Sequence, residues 1–463
     1  MTDRPNLLFI MTDHQRADSI GQVQAGVEVT PNLNRLAAQG THFTRTYNTC
    51  PLCAPARTAL ATGKYPTRNG VVCNDWRGTS AGDHKPVHQY LHEAGYSVAH
   101  IGVDHIRVQP SLRERVPFAD WASQAEFRAY MEEEGRALPD NGDTYRRPVW
   151  ENQEGQRVEK AYSNAATGVW PHAAEHFLDT FYCRRAVDFL RRPHDKPFAL
   201  FLYLWAPHPP LLVPQPYASR FAPEGIELPV NMGRPAPGEP ANRRAGIAAQ
   251  LAADLSETEW RRAWAAHLGL VHLADAGIGQ VLQALEDSGR GGDTQVLFAS
   301  DHGDHMGQHG MYQKMEMYEE AVRVPFIVRG PQVRQQEVDG LVSHLDIVPT
   351  LLDWAGIEAD DELDGRSLRA CLEAGQVLEE RPVFSQYSGN PVLGDIRRAV
   401  VTRRYKYVYD PRDRAELYDL QVDPLEMDNR AEDAACAQVR RELHGLCRDW
   451  HRAHGDWIDY EDG

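Results

Sequence analysis

The sequence predicts an α/β fold: a large, mostly parallel sheet flanked by helices, followed by a small C-terminal α+β subdomain with an antiparallel sheet. Three observations predict it. Short, β-rich apolar runs alternate with helical patterns over residues 1–379, the arrangement that builds a sheet with helices on both faces. Beyond Glu379 the texture changes to closely spaced strand patterns and one amphipathic helix. At 463 residues the chain also exceeds the size at which single cores stop growing, so a large domain, 1–379, and a smaller one, 380–463, are expected.

The strand assignments rest on runs too short for buried helices. Asn6–Met11, Ser97–Gly102, Phe198–Trp205, Gln295–Ser300 and Phe326–Gly330 are continuous and apolar, as parallel strands covered on both faces should be. Helical periodicity marks Thr30–Gln39, Phe181–Leu190 and Trp260–Leu285. Residues 110–171 are polar and aromatic without clear periodicity and read as an insertion. The Pro- and Gly-rich residues 213–240 read as a surface loop. In the C-terminal part, Arg398–Val408 alternates as a strand, Asp410–Asp413 forms a turn, Glu416–Leu420 is a second strand and Ala434–Trp450 is the amphipathic helix.

Composition narrows the partners. A net charge of -17 argues against nucleic acid or an anionic membrane, yet leaves room for a small anionic ligand in a local cationic pocket. No apolar run approaches membrane-spanning length, and the opening MTDRPNLLFIMTDHQR lacks the pattern of a signal peptide. Seven scattered cysteines, an odd number, form no disulfide framework, so a cytoplasmic location is expected. Oligomeric state is open, a homo-oligomer included.

Polar residues collect where the expected strands end. Asp13 follows the first strand, His105 the second, His208 the third, and Asp301-His302 the fourth. Ligands of open α/β sheets bind beyond the carboxyl ends of strands. One Asp after a strand is usually a helix cap; four such segments converging on one sheet edge are a site. Asp13, Asp301 and His302, with His14 as a further donor, suit one divalent ion: Mn²⁺ or Ca²⁺, then Mg²⁺ or Zn²⁺. Mn²⁺ leads because His302 supplies nitrogen. His305 and His309, in D-H-G-D-H-M-G-Q-H-G, read as a polar loop lining the pocket.

The segment TCPLCAPARTALATGKYP, Thr49–Pro66, is the most informative. Cys50 and Cys53 alone would suit a redox pair or half a zinc site, but no second C-x-x-C exists to complete a cage. Pro55 suits the first turn of a helix, which puts residue 53 at a helix N-terminus, where free amides favour anions, with Arg57 close by. C-A-P-A-R, residues 53–57, is the C-x-P-x-R signature, and the chain resembles the sulfatase family of the alkaline-phosphatase-like superfamily. The likeness includes P-N-L-L-F-I-M-T-D with Asp13, Arg68-Asn69-Gly70, His208 in A-P-H-P-P, Lys314 ahead of R-V-P, and the late Lys406–Pro424 region.

That resemblance implies an alkaline-phosphatase-like fold and a metal-dependent, arylsulfatase-like hydrolase of sulfate esters. It implies conversion of Cys53 to formylglycine by a formylglycine-generating enzyme, so that Cys53 both carries the nucleophile and meets the metal. Arg57 and Lys314 would hold charge on the ester, His208 would protonate the leaving alcohol, and His105 would be the base that releases the anion. Three residues depart from the family pattern: His14 replaces a second aspartate, His302 replaces an asparagine, and Val103 replaces a lysine in G-K-x-H. The last two are similar to the phosphonate monoester hydrolase branch, as is Asn74 near the expected substrate position. The expected activity is therefore sulfate ester hydrolysis with promiscuity toward monoanionic esters, and phosphonate monoester or phosphodiester hydrolysis is the alternative.

Overall fold

A computed structural model describes residues 4–75, 78–140 and 142–460. The central sheet has nine strands: β1 (Asn6–Thr12), β2 (Thr41–Tyr47), β3 (Ser97–Gly102), β4 (Asp120–Ala122), β5 (Phe198–Tyr203), β6 (Thr294–Ser300), β7 (Arg323–Arg329), β8 (Gln336–Val338) and β9 (Val342–Ser343). Their order is β8-β2-β7-β6-β1-β5-β3-β4, with β9 also paired to β2. The run β6-β1-β5-β3-β4 is parallel throughout. β1, β5 and β6 are buried along their whole length, because helices cover both faces.

Two groups of helices do the covering. Pro31–Ala38, Leu178–Arg191 and a 31-residue helix, Glu257–Asp287, pack on one another. Cys53–Thr62 (called αN below), Val87–Glu93 and Ile347–Ala355 form the second group. Helix Glu257–Asp287 is long and apolar enough to cross a membrane, which the sequence reading overlooked, but 67% of its most apolar window is buried within the fold.

Several expectations are corrected. Phe326–Gly330 falls in β7, which pairs antiparallel with β6 and with β2, so this side of the sheet is mixed. Strand β2 was not anticipated, since T-H-F-T-R-T-Y mixes polar residues into its alternation. Residues 110–171 contain β4 on the sheet edge, a helix at Gln124–Glu133 and a hairpin of Arg146–Gln153 with Gln156–Ser163. The expected single strand Arg398–Val408 is two antiparallel strands, Arg397–Val401 and Tyr405–Tyr409, folded back at Thr402.

The C-terminal sheet has four antiparallel strands, Val383–Tyr387, Arg397–Val401, Tyr405–Tyr409 and Glu416–Asp419. Helix Ala437–Ala453 packs on it. Its apolar cluster includes Ala59 of αN alongside Phe384, Val400, Tyr407 and Leu443, so this sheet buttresses αN directly. Charge fixes it as well. Buried Arg243 bonds Glu316 (3.2 Å) in the loop before β7, Asp410 (3.0 Å) and Glu416 (2.5 Å).

Removing one partner from a buried ion network leaves uncompensated charge. Arg243→Met, which keeps the side chain's bulk, should destabilise the protein by about 3–5 kcal/mol in denaturant unfolding. A loss below about 1 kcal/mol would mean the network contributes little.

Candidate active site

The parallel pairing of β1 with β6 sets the site's floor. Thr12 and Ser300 are register partners, so Asp13 and Asp301 leave neighbouring strands side by side. The turns are tied together: Asp301 N–H donates to the Thr12 carbonyl (3.2 Å), and His14 N–H donates to Asp301 Oδ1 (3.3 Å). Gly303 is required here, because a Cβ would sit 1.9 Å from the Glu320 carbonyl oxygen.

αN supplies the other half. Cys53 is its first residue, and Arg57 lies one turn later on the same face. Asn74 Oδ1 accepts a hydrogen bond from Ala54 N–H (2.9 Å), holding the helix N-terminus in place. Arg57 bridges both carboxylates, donating from Nη2 to Asp13 Oδ2 (2.9 Å) and from Nε to Asp301 Oδ2 (2.8 Å). Its Nη1 is buried with no hydrogen-bond partner among the described residues. Lys314 Nζ lies 2.9 Å from Cys53 Sγ and 2.5 Å from His14 Nε2. His302 Nε2 lies 3.3 Å from Cys53 Sγ.

These side chains are all but excluded from water, and their proton affinities reflect it. Burial, with Asp301 close by, raises Asp13 to about 7 despite Arg57. Burial also pushes up on Asp301, but Arg57, His302 and Lys314 outweigh it and its pKa falls. Burial, then Asp13, takes the Cys53 thiol up to about 12. Burial takes His302 down to about 3, and lowers His14 well below its usual range with Lys314 adding to the effect. With the imidazoles neutral, the cations that face the two carboxylates are Arg57 and Lys314.

A divalent ion fits that donor set. Ligand atoms of Asp13, His14, Cys53 and His302 all lie within 4.8 Å of one another. His302 Nε2 is 3.6 Å from both Asp13 Oδ1 and Asp301 Oδ2. His302 Nδ1–H donates to the Gly303 carbonyl (3.0 Å), which leaves the Nε2 lone pair facing the carboxylates, the orientation a metal-binding imidazole needs. His14 is more constrained, with Nδ1–H donating to Asp304 Oδ2 (2.7 Å) while Nε2 accepts a hydrogen bond from Lys314 Nζ (2.5 Å). In this arrangement His14 positions Lys314.

His105 and His208 lie at the rim, both half-buried against Trp205, with ring centroids 6.1 Å and 4.0 Å from it. His208 also edges onto His14 (4.5 Å) and donates Nδ1–H to the Pro209 carbonyl. Burial takes His105 down to about 3, and burial with Lys314 adding to it lowers His208 well below its usual range. Beyond His208 opens a cavity of about 250 Å³ lined by Trp170, Phe177, Trp205, Pro210 and Leu212. Of the aromatic stretch Trp121–Trp170, Trp170 reaches this cavity, whereas Trp121 stacks on His100 (4.4 Å).

The sequence reading misjudged some neighbours. His305 and His309 do not line the pocket; both are fully buried beside Glu320. Asp304 went unnoticed, yet it orients His14 and accepts from Met306 N–H and Gln313 N–H (2.9 and 3.0 Å), shaping the loop that delivers Lys314. Its signal was its place between Asp301 and His305. The loop is strained around this delivery: Met306, His309, Gln313 and Met315 all have positive φ, as does His14. All seven cysteines are free, Cys50 and Cys53 included.

Comparison with known proteins agrees with this geometry. The family model described as Sulfatase matches residues 5–357. The chain belongs to the sulfatase family. A second model, the C-terminal part of N-sulphoglucosamine sulphohydrolase, matches residues 307–452. The uncharacterized sulfatase YidJ of Escherichia coli is 30% identical, the match covering 96% of this chain and 87% of that protein. The multifunctional alkaline phosphatase superfamily protein PehA of Trinickia caryophylli is 29% identical over 98% of this chain and 96% of that one. Among solved structures, the phosphonate monoester hydrolase of Agrobacterium radiobacter superposes with a TM-score of 0.80 at 24% identity, covering 97% of this chain and 96% of that one. The 2-O GAG sulfatase BT1596 gives 0.74 at 26% identity, covering 99% and 95%. The fold is alkaline-phosphatase-like, and the chain is an enzyme of the sulfuric ester hydrolase class.

Asp13→Asn and Asp301→Asn should each lose bound metal from this site together with activity, as elemental analysis of purified protein would register. Full metal occupancy in either variant would place the site elsewhere. Asp304→Asn should keep this metal but lose about 10–100-fold in kcat as His14 and Lys314 drift.

Proposed function

We propose that the protein hydrolyses sulfate esters, using residue 53 as formylglycine and one divalent ion held by Asp13, Asp301 and His302. The observation that carries this reading is the convergence of Lys314, Arg57 and His302 on residue 53 at the N-terminus of αN, above the paired Asp13 and Asp301. The aldehyde, as its hydrate, supplies the hydroxyl nucleophile that a buried thiol with raised pKa does not. The divalent ion, when bound, supplies Lewis-acid stabilisation of negative charge at residue 53 and on the ester.

The chain's own residues do the rest. Lys314 grips a non-bridging oxygen, and the buried Arg57 holds fixed positive charge behind the reacting atoms. Asn74 holds the N-terminus of αN, accepting from Ala54 N–H, beside the position the anion takes. His208 protonates the departing oxygen, and the negative ester beside it raises its affinity for that proton. Neutral His105 accepts the proton whose loss releases the anion. The aromatic-lined cavity beyond His208 suits an aryl or otherwise apolar leaving group.

One observation favours a second activity. Val103, where sulfatases carry a lysine, is buried at 1% exposure, so the pocket holds one cation fewer. Less positive charge suits monoanionic esters and penalises dianions. Phosphonate monoesters and phosphodiesters are therefore accepted as side substrates, with sulfate esters as the main ones.

Kinetics test both parts. With one nitrophenyl leaving group, kcat/KM should be highest for the sulfate, lower for the phosphonate monoester and phosphodiester, and lowest for the dianionic phosphate monoester. A phosphate monoester in first place would contradict the charge argument. Cys53→Ala should abolish turnover of every ester while the fold persists, and Cys50→Ala should retain most of it; an inactive Cys50→Ala would restore the redox-pair reading.

A further inference from the structure

A second cluster of metal-ligating residues lies behind the catalytic loop, and the reaction makes no use of it. His309, Glu320 and Glu426 offer ligand atoms that all lie within 4.8 Å of one another, every one on a buried side chain. His305 lies beside this group, its Nδ1 3.9 Å from Glu320 Oε2, while His309 Nε2 is 3.6 Å from Glu320 Oε1. Both separations are too long for hydrogen bonds. They match the edges of a coordination shell, since ligand atoms about 2.1 Å from a tetrahedral ion are about 3.4 Å apart. The active-site donors show the same signature, at 3.6 Å.

The polar atoms here are also orphaned. Both ring nitrogens of His305 and of His309, and Glu320 Oε2, are buried with no hydrogen-bond partner among the described residues. Four unpartnered imidazole nitrogens in one buried cluster are costly unless something binds them. Glu426 is partly engaged: Oε1 is ion-paired with Lys406 Nζ (2.7 Å), and Oε2 accepts from Glu319 N–H (2.6 Å), keeping a second lone pair. Lys406 is shared with Glu319 (2.7 Å), so it compensates for neither carboxylate alone. His309 stacks on Tyr318 (centroids 3.8 Å, 9° between planes), which fixes the ring.

We propose that His309, Glu320 and Glu426, with His305 beside them, form a second, structural metal site for a borderline divalent cation, Zn²⁺ by donor type. One imidazole and two carboxylates neutralise such an ion, and His305 is a further nitrogen donor close by. The place of the site explains its use. His305 and His309 belong to the loop that continues to Lys314, Glu320 leads into β7, and Glu426 comes from beyond the C-terminal sheet. The ion staples the strained catalytic loop to the C-terminal subdomain. The rival account is a protonated His309 paired with Glu320 and no metal.

Stoichiometry separates the two. The full chain, equilibrated with Zn²⁺ and freed of excess by gel filtration, should hold two ions per chain by elemental analysis. Asp13→Asn should hold one, His309→Ala one, and the double variant none. Asp13→Asn protein that holds no ion, or His309→Ala with unchanged content, would overturn the proposal. Should His309→Ala fail to fold, the Asp13→Asn protein decides alone. Loaded with Co²⁺ it should show visible absorption bands of tetrahedral nitrogen–oxygen coordination, and stripping it with a chelator should lower its Tm. No bound Co²⁺, or a Tm indifferent to the chelator, would leave the imidazolium pair as the correct account.

Discussion

The guanidinium of Arg57 is the contact on which the rest of the active site depends. Asp13 and Asp301 emerge from adjacent parallel strands in register, so the sheet itself forces two carboxylates together in a dry place. Arg57 resolves this by bridging them, and in doing so fixes αN against the sheet edge. Because Cys53 and Arg57 are one helical turn apart, fixing Arg57 also fixes the residue that must meet substrate. Arg57 and Lys314 together balance the two carboxylates, and it is the donor set of Asp13, His14, Cys53 and His302 that suits a divalent ion.

The second constraint is delivery of Lys314. No regular element carries it; it rides a loop with repeated positive φ, held by Asp304, by the Arg243 network at Glu316, and by the buried histidine–glutamate cluster. Strain of this kind persists only where surrounding contacts over-determine the chain. The C-terminal subdomain supplies many of them, through Asp410, Glu416 and Glu426, and through the apolar cluster that reaches Ala59. It is a buttress for the site more than an independent unit.

Much of this was legible in the sequence, for identifiable reasons. The strands that deliver Asp13, His105, His208 and Asp301 are continuous apolar runs ending abruptly in polar residues, and such runs have few other readings. C-A-P-A-R marked residue 53 through its likeness to the sulfatase signature, with which the helix-starting proline and the arginine one turn on agree. β7 was found but its direction was not, because an antiparallel strand buried on both faces looks like a parallel one. β2 was lost to its interspersed threonines. Asp304 was hidden because a carboxylate that orients a histidine has no pattern of its own. The places of His305 and His309 were misread because their burial beside Glu320, and the approach of the distant Glu426, are set only by the fold.

The account stands or falls on the chemical state of residue 53. Mass spectrometry of the tryptic peptide Thr46–Arg57, from enzyme co-produced with a formylglycine-generating enzyme and active on an aryl sulfate, measures it directly. The predicted result is replacement of the Cys53 thiol by an aldehyde that reacts with a hydrazine probe, with the Cys50 thiol intact. A fully active preparation in which both cysteines remain thiols would contradict it.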